Sequence, residues 1–184
     1  MHFAPDTEYT LEFSVEMANT HPGATKSGKD ELSTVAQLDD LVRRYGYTGR
    51  LDLDEAELAD VRATRERERH VWLLPRDQAA EEVNAIFREI GALPYLTRHP
   101  PFDWHLHAAA QDAPLGERML GEFALGLMDV IRTDEMGRLR ECEAPDCTGI
   151  LADLSRNGSK RFCSIRCGNR MNMIAYRQRS ALVE

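Results

Sequence analysis

Four cysteines lie within 26 residues near the C-terminal end of the sequence, close enough to bind one metal ion together. They are Cys142, Cys147, Cys163 and Cys167, with the spacing C-x4-C-x15-C-x3-C. Two closely spaced pairs separated by about 15 residues are typical of a structural zinc site with four thiolate ligands. Because the protein would supply all four ligands, no position would remain for water or substrate, and such a zinc ion would be structural rather than catalytic. Four cysteines could also form disulfides in three pairings, or be unrelated buried thiols.

The residues around the cysteines predict the elements that would position them. The EAPD segment within the first pair contains Pro145 and can turn tightly. Between the pairs, Asn157–Gly158 lies at the centre of ILADLSRNGSKRF, a pattern that indicates a β-hairpin. Cys163 and Cys167 are four residues apart, so a helix beginning there would place both on one face. A knuckle, a hairpin and a helix together make a treble-clef-like finger.

The charge of the chain is unevenly distributed. Residues 1–136 carry 14 Lys and Arg against 26 Asp and Glu, whereas residues 137–184 carry 9 against 5. A basic segment that follows an acidic body permits nucleic-acid binding, which a uniformly acidic protein would not. We expect no membrane span, because the longest apolar runs are far too short. The sequence shows no secretory signal, so we expect the protein to be cytoplasmic, where thiols stay reduced and clustered cysteines more often bind metal than each other.

Basic residues of the predicted final helix could contact DNA. Arg166, Arg170 and Arg177 are spaced by four and seven residues and would share one face of that helix. Guanidinium groups in such a row suit phosphates or guanine edges. The complete set of predicted nucleic-acid contacts is Arg156, Lys160, Arg161, Arg166, Asn169, Arg170, Arg177 and Arg179. Alternatively, these residues solvate the surface and pair with the acidic body.

The first half of the body contains signals for one strand and two helices. Leu11, Phe13, Val15 and Met17 alternate with polar residues, which favours a strand, although a short helix fits the pattern nearly as well. Two N-terminal capping signatures follow, and each opens a predicted helix: Thr34 with Gln37, then Asp54 with Glu57.

The second half of the body returns to helices after two short strands. Residues 78–90 predict a helix that ends at Gly91. YLTRH and DWHLHAA predict strands on either side of the Pro100–Pro101 break. Residues 115–133 predict a long amphipathic helix, which is either our candidate surface for pairing of two copies or a helix wholly within the core.

These elements together predict an α+β fold with two parts. Residues 1–136 would form a mostly helical N-terminal domain with a few short strands, and residues 137–184 the small zinc finger.

Two histidines of the second predicted strand could form a site in the body. His105 and His107 alternate with Trp104 between them, so the two imidazoles would face the same way. They could bind a metal ion or an anionic ligand, or be ordinary strand histidines. The sequence contains no phosphate-binding loop, nucleophile elbow or zinc-protease motif, and we expect no enzymatic activity.

The segments RLRECEAPDC, SRNGSKRFCSIRCGNR and YRQR resemble the CGNR-type zinc finger, which is named for the Cys-Gly-Asn-Arg at 167–170. This resemblance covers about residues 138–180. Proteins of this bacterial family usually carry an N-terminal ABATE domain and are regarded as stress-responsive transcription regulators. Residues 8–136 resemble that domain more loosely.

The ABATE resemblance makes two residues of the body candidates for a ligand site. Asn19 lies in MANT, which resembles the early Asn-Thr of that domain, and is either a ligand contact or a residue that caps or turns the chain. Arg65 follows Ala63 and Thr64 where a Leu-Arg pair is usual, a departure that weakens its assignment to a ligand site.

The residues and the resemblance together predict a DNA-binding transcription regulator with one structural Zn²⁺. The body would sense a small-molecule effector or pair two copies, and the finger would contact double-stranded DNA. The alternative is a zinc-stabilised protein-interaction module without DNA binding.

Overall fold

The computed structural model describes residues 3–181 and confirms an α+β fold with a mostly helical N-terminal part. In the body the elements are α1 (Pro5–Ala18), α2 (Val35–Arg44), α3 (Glu55–Trp72), α4 (Arg76–Glu89), β1 (Tyr95–His99), β2 (Phe102–His107) and α5 (Leu115–Arg132). After a 3₁₀ turn (Met136–Arg138), the finger consists of β3 (Leu139–Glu141), β4 (Ile150–Ala152) and α6 (Ile165–Ala181). Among the described residues, no helix is both long and apolar enough to cross a membrane.

Both predicted capping signatures open helices in the structure. At the start of α2, the Gln37 N–H donates to Thr34 Oγ1 and the Thr34 N–H donates to Gln37 Oε1, which completes a capping box. At the start of α3, the Glu57 N–H donates to Asp54 Oδ1 over 2.8 Å. These short-range bonds satisfy N–H groups that have no partner inside the helix.

The strand that we predicted over residues 11–17 is wrong, because this segment belongs to α1. Leu11 and Ala18 pack into one apolar cluster with α5, whereas Phe13 and Met17 pack into a second cluster with α2 and α3. A helix that buries two sides spreads its apolar residues over more of its circumference than a one-sided amphipathic helix does. The sequence of α1 therefore alternates as a strand would.

Helix α5 is the centre of the body, so of our two predictions for it the core helix is right and the surface for pairing two copies is not. It packs against α1, α3 and α4, and no residue between Leu115 and Val130 is exposed. Gly116 allows one close approach, since a Cβ there would lie 2.3 Å from Asp60 Oδ2. Helix α5 is therefore a core helix and presents no exposed apolar face between Leu115 and Val130.

The finger contains a two-stranded sheet with a different partner from the one we predicted. Strand β4 pairs antiparallel with β3, which precedes the first cysteine, and not with residues 159–162. Gly158 does form a turn, with a φ of +57°. However, the buried carboxylate of Asp153 accepts hydrogen bonds from the N–H groups of Ser155 and Lys160. These bonds satisfy the loop backbone locally, so the residues after the turn form no ladder with β4.

The finger shares its core with the body. Leu139, Ile150 and Ala152 of the finger sheet lie in the same apolar cluster as Leu11 and Ala18 of α1. The finger is therefore packed onto the body and not only tethered to it.

Helix α3 contains a buried acid that makes stability depend on pH. Glu68 is fully buried, and neither carboxyl oxygen has a hydrogen-bond partner of good geometry among residues 3–181. Burial raises the pKa of Glu68 to about 8, although the nearby Ser14 hydroxyl lowers it in part. The folded protein therefore holds a proton that the unfolded chain releases near its ordinary pKa of 4.5.

We expect Glu68→Gln to stabilise the protein at neutral pH. The raised pKa costs the wild type no stability below about pH 4.5, and the loss grows as the pH rises towards 8. At pH 7 this cost is about 3 kcal/mol, which the uncharged glutamine avoids. Denaturant unfolding at pH 5 and pH 8 measures the difference, with the exposed Glu81→Gln on α4 as the control. An equal pH dependence in wild type and Glu68→Gln would contradict this assignment.

Candidate zinc centre and nucleic-acid interface

The four cysteines converge at the base of α6. Their Sγ atoms all lie within 4.8 Å of one another. Cys147 Sγ is 3.6 Å from Cys163 Sγ, which is 3.8 Å from Cys167 Sγ, and none of the four forms a disulfide. Sulfurs bound tetrahedrally to Zn²⁺ at 2.3 Å are about 3.8 Å apart. The geometry therefore fits one structural Zn²⁺ with four thiolate ligands, as predicted.

Backbone N–H groups donate to two of the four sulfurs, whereas burial raises the pKa of the Cys147 thiol and opposes its ionisation. The Gly149 N–H donates to Cys147 Sγ, and the Cys163 N–H donates to Cys142 Sγ. Burial raises the pKa of the Cys163 thiol; for Cys167, hydrogen bonds with Ser164 and the adjacent sulfurs overcome the effect of burial and lower the pKa to about 7. When bound, a divalent cation offsets the mutual repulsion of four such close thiolates.

Asn19 holds the finger against the end of α1. Its Nδ2 donates to the Ile150 carbonyl over 2.9 Å, and its Oδ1 accepts from the Ile150 N–H over 2.8 Å. Arg69 adds hydrogen bonds to the carbonyls of Ala18 and Thr148. The side chain that we considered as a ligand contact thus binds the backbone of β4.

Arg65 lies inside the body and anchors the loop between α1 and α2. Its side chain is only 3% exposed, and it donates to both carboxyl oxygens of Asp30 over 2.7 and 2.8 Å and to Thr20 Oγ1 over 2.9 Å. The finger rests on this loop, since Arg166 of α6 donates to the Ala24 carbonyl over 2.8 Å. Arg65 therefore does not contact the finger itself but holds the loop that the finger contacts.

Several of the basic residues predicted to contact DNA already have partners within the protein. Arg161 pairs with Glu143 at 2.5 Å, and Arg170 makes a close pair with Asp146. Lys160 donates from Nζ to a carbonyl of β4 over 3.3 Å. Together with Arg166, these residues stabilise the finger and its docking.

The remaining predicted contacts lie on exposed surface. Arg156, Asn169, Arg177 and Arg179 are exposed and make no side-chain hydrogen bond or ion pair with any residue between 3 and 181. Arg177 and Arg179 belong to the second half of α6, where residues 172–180 are all exposed except the half-buried Ala175. This half of the helix extends from the zinc centre and packs against little of the rest of residues 3–181.

A second cluster, which we call the histidine cluster, lies on the β1–β2 hairpin of the body. His105 and His107 face the same way, as the alternation predicts, and His99 of β1 joins them. Their Nε2 atoms lie 3.0 to 3.1 Å apart. Trp104 points away from the cluster and is 65% exposed. We did not include His99 because we treated Pro100–Pro101 as a break between two strands, whereas it is the turn that joins them.

The two parts of the chain match known family models. Residues 138–180 match the model described as "CGNR zinc finger", so the class of protein is one that carries a structural zinc finger. Residues 11–134 match the ABATE model, described as "Putative stress-induced transcription regulator". This second match covers more than half of the chain, and the protein therefore belongs to the ABATE family. A search among curated proteins finds no match to this chain.

Proposed function

We propose that the protein is a DNA-binding transcription regulator that contacts double-stranded DNA through α6. The observation that carries this proposal is the exposed second half of α6, which presents Arg177 and Arg179 without partners among residues 3–181. The description of the ABATE family supports a regulatory role. Guanidinium groups on an exposed helix suit the phosphates and guanine edges of a DNA groove.

The ion pairs of the finger favour DNA over an acidic surface of the body as its partner. Glu143 and Asp146 pair with arginines of the finger itself. The excess positive charge is therefore left on residues such as Arg156, Arg177 and Arg179, which project into solvent. Polyanionic DNA is the partner that such a surface attracts.

The docking of the finger gives the body a means to influence DNA contact. Asn19 and the shared core fix the orientation of the finger, so we propose that an effector bound to the body alters binding through this joint. We further propose that the protein acts in the cytoplasm, where the thiols stay reduced. Two copies at adjacent half-sites would raise the effective concentration of each finger.

One observation favours the alternative, a protein-interaction module. The same half of α6 exposes Met173, Ile174 and Tyr176, of which Tyr176 is 61% exposed. An exposed aromatic and aliphatic surface is typical of a protein-binding helix.

The direct test is fluorescence anisotropy of the zinc-loaded protein with DNA from upstream of its own gene, repeated over a salt series. Three to five phosphate contacts predict that log K falls with log salt with a slope of about −3 to −4.5. We expect Arg177→Ala with Arg179→Ala to reduce the steepness by about 2. The matched control, Arg43→Ala with Arg88→Ala, removes two exposed arginines from the body and is expected to leave the slope unchanged.

Two outcomes would overturn DNA binding through α6. The first is no binding at low salt by protein that holds its zinc, which would direct the search to protein partners of α6. The second is an equal loss of affinity in both double variants, which would show that net charge acts and not the position of the arginines.

A further inference from the structure

The histidine cluster has the geometry of a three-nitrogen metal site. The Nε2 atoms of His99, His105 and His107 form a nearly equilateral triangle with sides of 3.0 to 3.1 Å. Three nitrogens bound to Zn²⁺ at about 2.0–2.1 Å are roughly 3.3 Å apart in a tetrahedral site, and at 90° angles they are about 3 Å apart. The observed triangle fits one first-row ion placed above its centre.

The hydrogen bonds on the far side of each ring determine which nitrogen carries the proton. His99 Nδ1 lies 2.9 Å from the Pro100 carbonyl oxygen, and His105 Nδ1 lies 2.9 Å from the Asp103 carbonyl oxygen. His107 Nδ1 lies 2.7 Å from Glu122 Oε1. A carbonyl oxygen can only accept, so Nδ1 of His99 and His105 must donate, and the Glu122 carboxylate fixes the same tautomer in His107.

This proton arrangement leaves three lone pairs that point at one another. A neutral imidazole with its proton on Nδ1 has only an acceptor at Nε2. No N–H then lies between the three Nε2 atoms, so their close approach is unfavourable unless a cation neutralises it. The two available cations are a shared proton and a metal ion.

The second contacts of the three rings favour the metal. Histidines that bind a metal almost always donate their other N–H to a carboxylate, a backbone carbonyl or water, which fixes the tautomer and orients the ring. Here all three rings do so, two to carbonyls and one to a carboxylate. The rings are also held by a paired hairpin and by Glu122 on the central helix α5.

The three histidines line a mostly apolar cavity. This cavity of about 230 Å³ lies between the hairpin, α1 and α5, and all three histidines line it together with Tyr9, Phe102 and other residues. It is smaller than the 300–1,000 Å³ of pockets that hold drug-sized ligands. Three protein ligands leave at least one coordination position, unlike the four-thiolate site. A small ligand with an oxygen or nitrogen donor could fill that position from the cavity.

We propose that His99, His105 and His107 bind one divalent first-row transition-metal ion through Nε2, with an exchangeable position that faces this cavity. Glu122 is a positioning residue that orients His107. The site is separate from the zinc centre in both its residues and its ligand chemistry, and imidazole donors suit Zn²⁺ and its neighbours in the series. This inference goes beyond the DNA-binding role and does not depend on it.

The test is metal uptake by the full chain whose finger already holds zinc. Protein dialysed against a weak chelator is titrated with Co²⁺, and the bound metals are counted by mass spectrometry after gel filtration. We expect the wild type to hold one zinc and one cobalt ion per chain, and the cobalt to show ligand-field bands without thiolate charge-transfer absorption. His99→Ala and His107→Ala are expected to hold only the zinc. His70→Ala, which removes an exposed histidine of α3 outside the cluster, is expected to hold both.

A wild type that takes up no second ion, or cluster variants that take up as much cobalt as the wild type, would overturn the proposal. If the wild type takes up no cobalt and NMR at pH 7 shows a protonated imidazole in the cluster, a shared proton and not a metal ion lies between the three Nε2 atoms. Retention of one zinc and of the far-UV spectrum checks that the variants fold. If the variants do not fold, the spectrum of the cobalt-loaded wild type shows which site binds the cobalt. Thiolate charge-transfer bands would place the cobalt at the finger and overturn the proposal.

The role of Glu122 has its own readout. Glu122→Ala is expected to weaken cobalt binding about 10- to 100-fold, the usual effect of removing an outer partner of a metal-bound histidine. Glu122→Gln keeps an oxygen that can accept from His107 Nδ1 and is expected to restore part of the affinity. A merely structural role would lower thermal stability in both variants without separating their affinities for cobalt.

Discussion

Removal of the zinc ion is expected to unfold the finger and to leave α6 largely without helical structure. The apolar residues around the four cysteines are few, chiefly Ala144, Phe162 and Met171. The finger sheet packs into the core of the body, but this small cluster cannot hold the rest of the finger by itself, and apparent zinc-binding energies of about 10–16 kcal/mol in such sites are folding energy. Helix α6 loses the most, because nearly all of its second half is exposed.

Cys167→Ser is the variant that measures this effect. The Cys167 side chain is fully buried at the first turn of α6, and its loss breaks the zinc site without touching the histidine cluster. Circular dichroism and hydrogen exchange along α6 are expected to report lost helix, whereas the exposed Asn172→Ala control keeps it. Full protection of the α6 amides in Cys167→Ser would show that docking on the body alone folds the finger.

The second large effect is expected from breaking the pair between Asp30 and Arg65. Asp30→Ala leaves the Arg65 guanidinium buried and without its two shortest ion-pair hydrogen bonds. Breaking a buried pair costs about 3–5 kcal/mol, and we expect about 3 because the half-exposed Glu66 still contacts Arg65 at 2.9 Å. Denaturant unfolding of the zinc-loaded protein measures the loss.

Acid and a double variant test the same pair. The hydrogen bond from Arg65 lowers the pKa of Asp30 to about 2, so the pair contributes its full stability above about pH 4 and loses it as the pH falls towards 2. Asp30→Ala with Arg65→Met removes both charges and is expected to be more stable than Asp30→Ala alone. Equal instability of the two would show that the loop needs Asp30 for its bond from the Leu32 N–H, and not for the ion pair.

The zinc centre could be predicted from the sequence because all four ligands are cysteines and their spacing is typical of a zinc site. The strand pairing of the finger sheet could not be predicted, because it depends on the buried side chain of Asp153. Asn157–Gly158 does turn the chain, but Asp153 takes the N–H groups that a second hairpin strand would have used. A composition of turn formers does not reveal that competition.

In the body, the sequence predicted the features that depend on hydrogen bonds between residues close in the chain. Thr34 and Asp54 cap their helices through bonds within one turn, so the sequence predicted both starts. Helix α1 was missed because it buries residues towards two clusters, and the side facing each cluster depends on tertiary packing. His99 joins His105 across the hairpin, and that neighbour appears only when the register of the two strands is known.

Helix α1 connects the cavity beside the histidine cluster to the finger. Its first turns, with Tyr9 and Thr10, line the cavity beside the histidine cluster, and Asn19 at its other end grips the backbone of the finger. A helix of 14 residues is about 20 Å long and stiff, so it does not absorb a tilt along its length. A displacement of the first turns of α1 would therefore be transmitted along the helix to the two hydrogen bonds that hold Ile150.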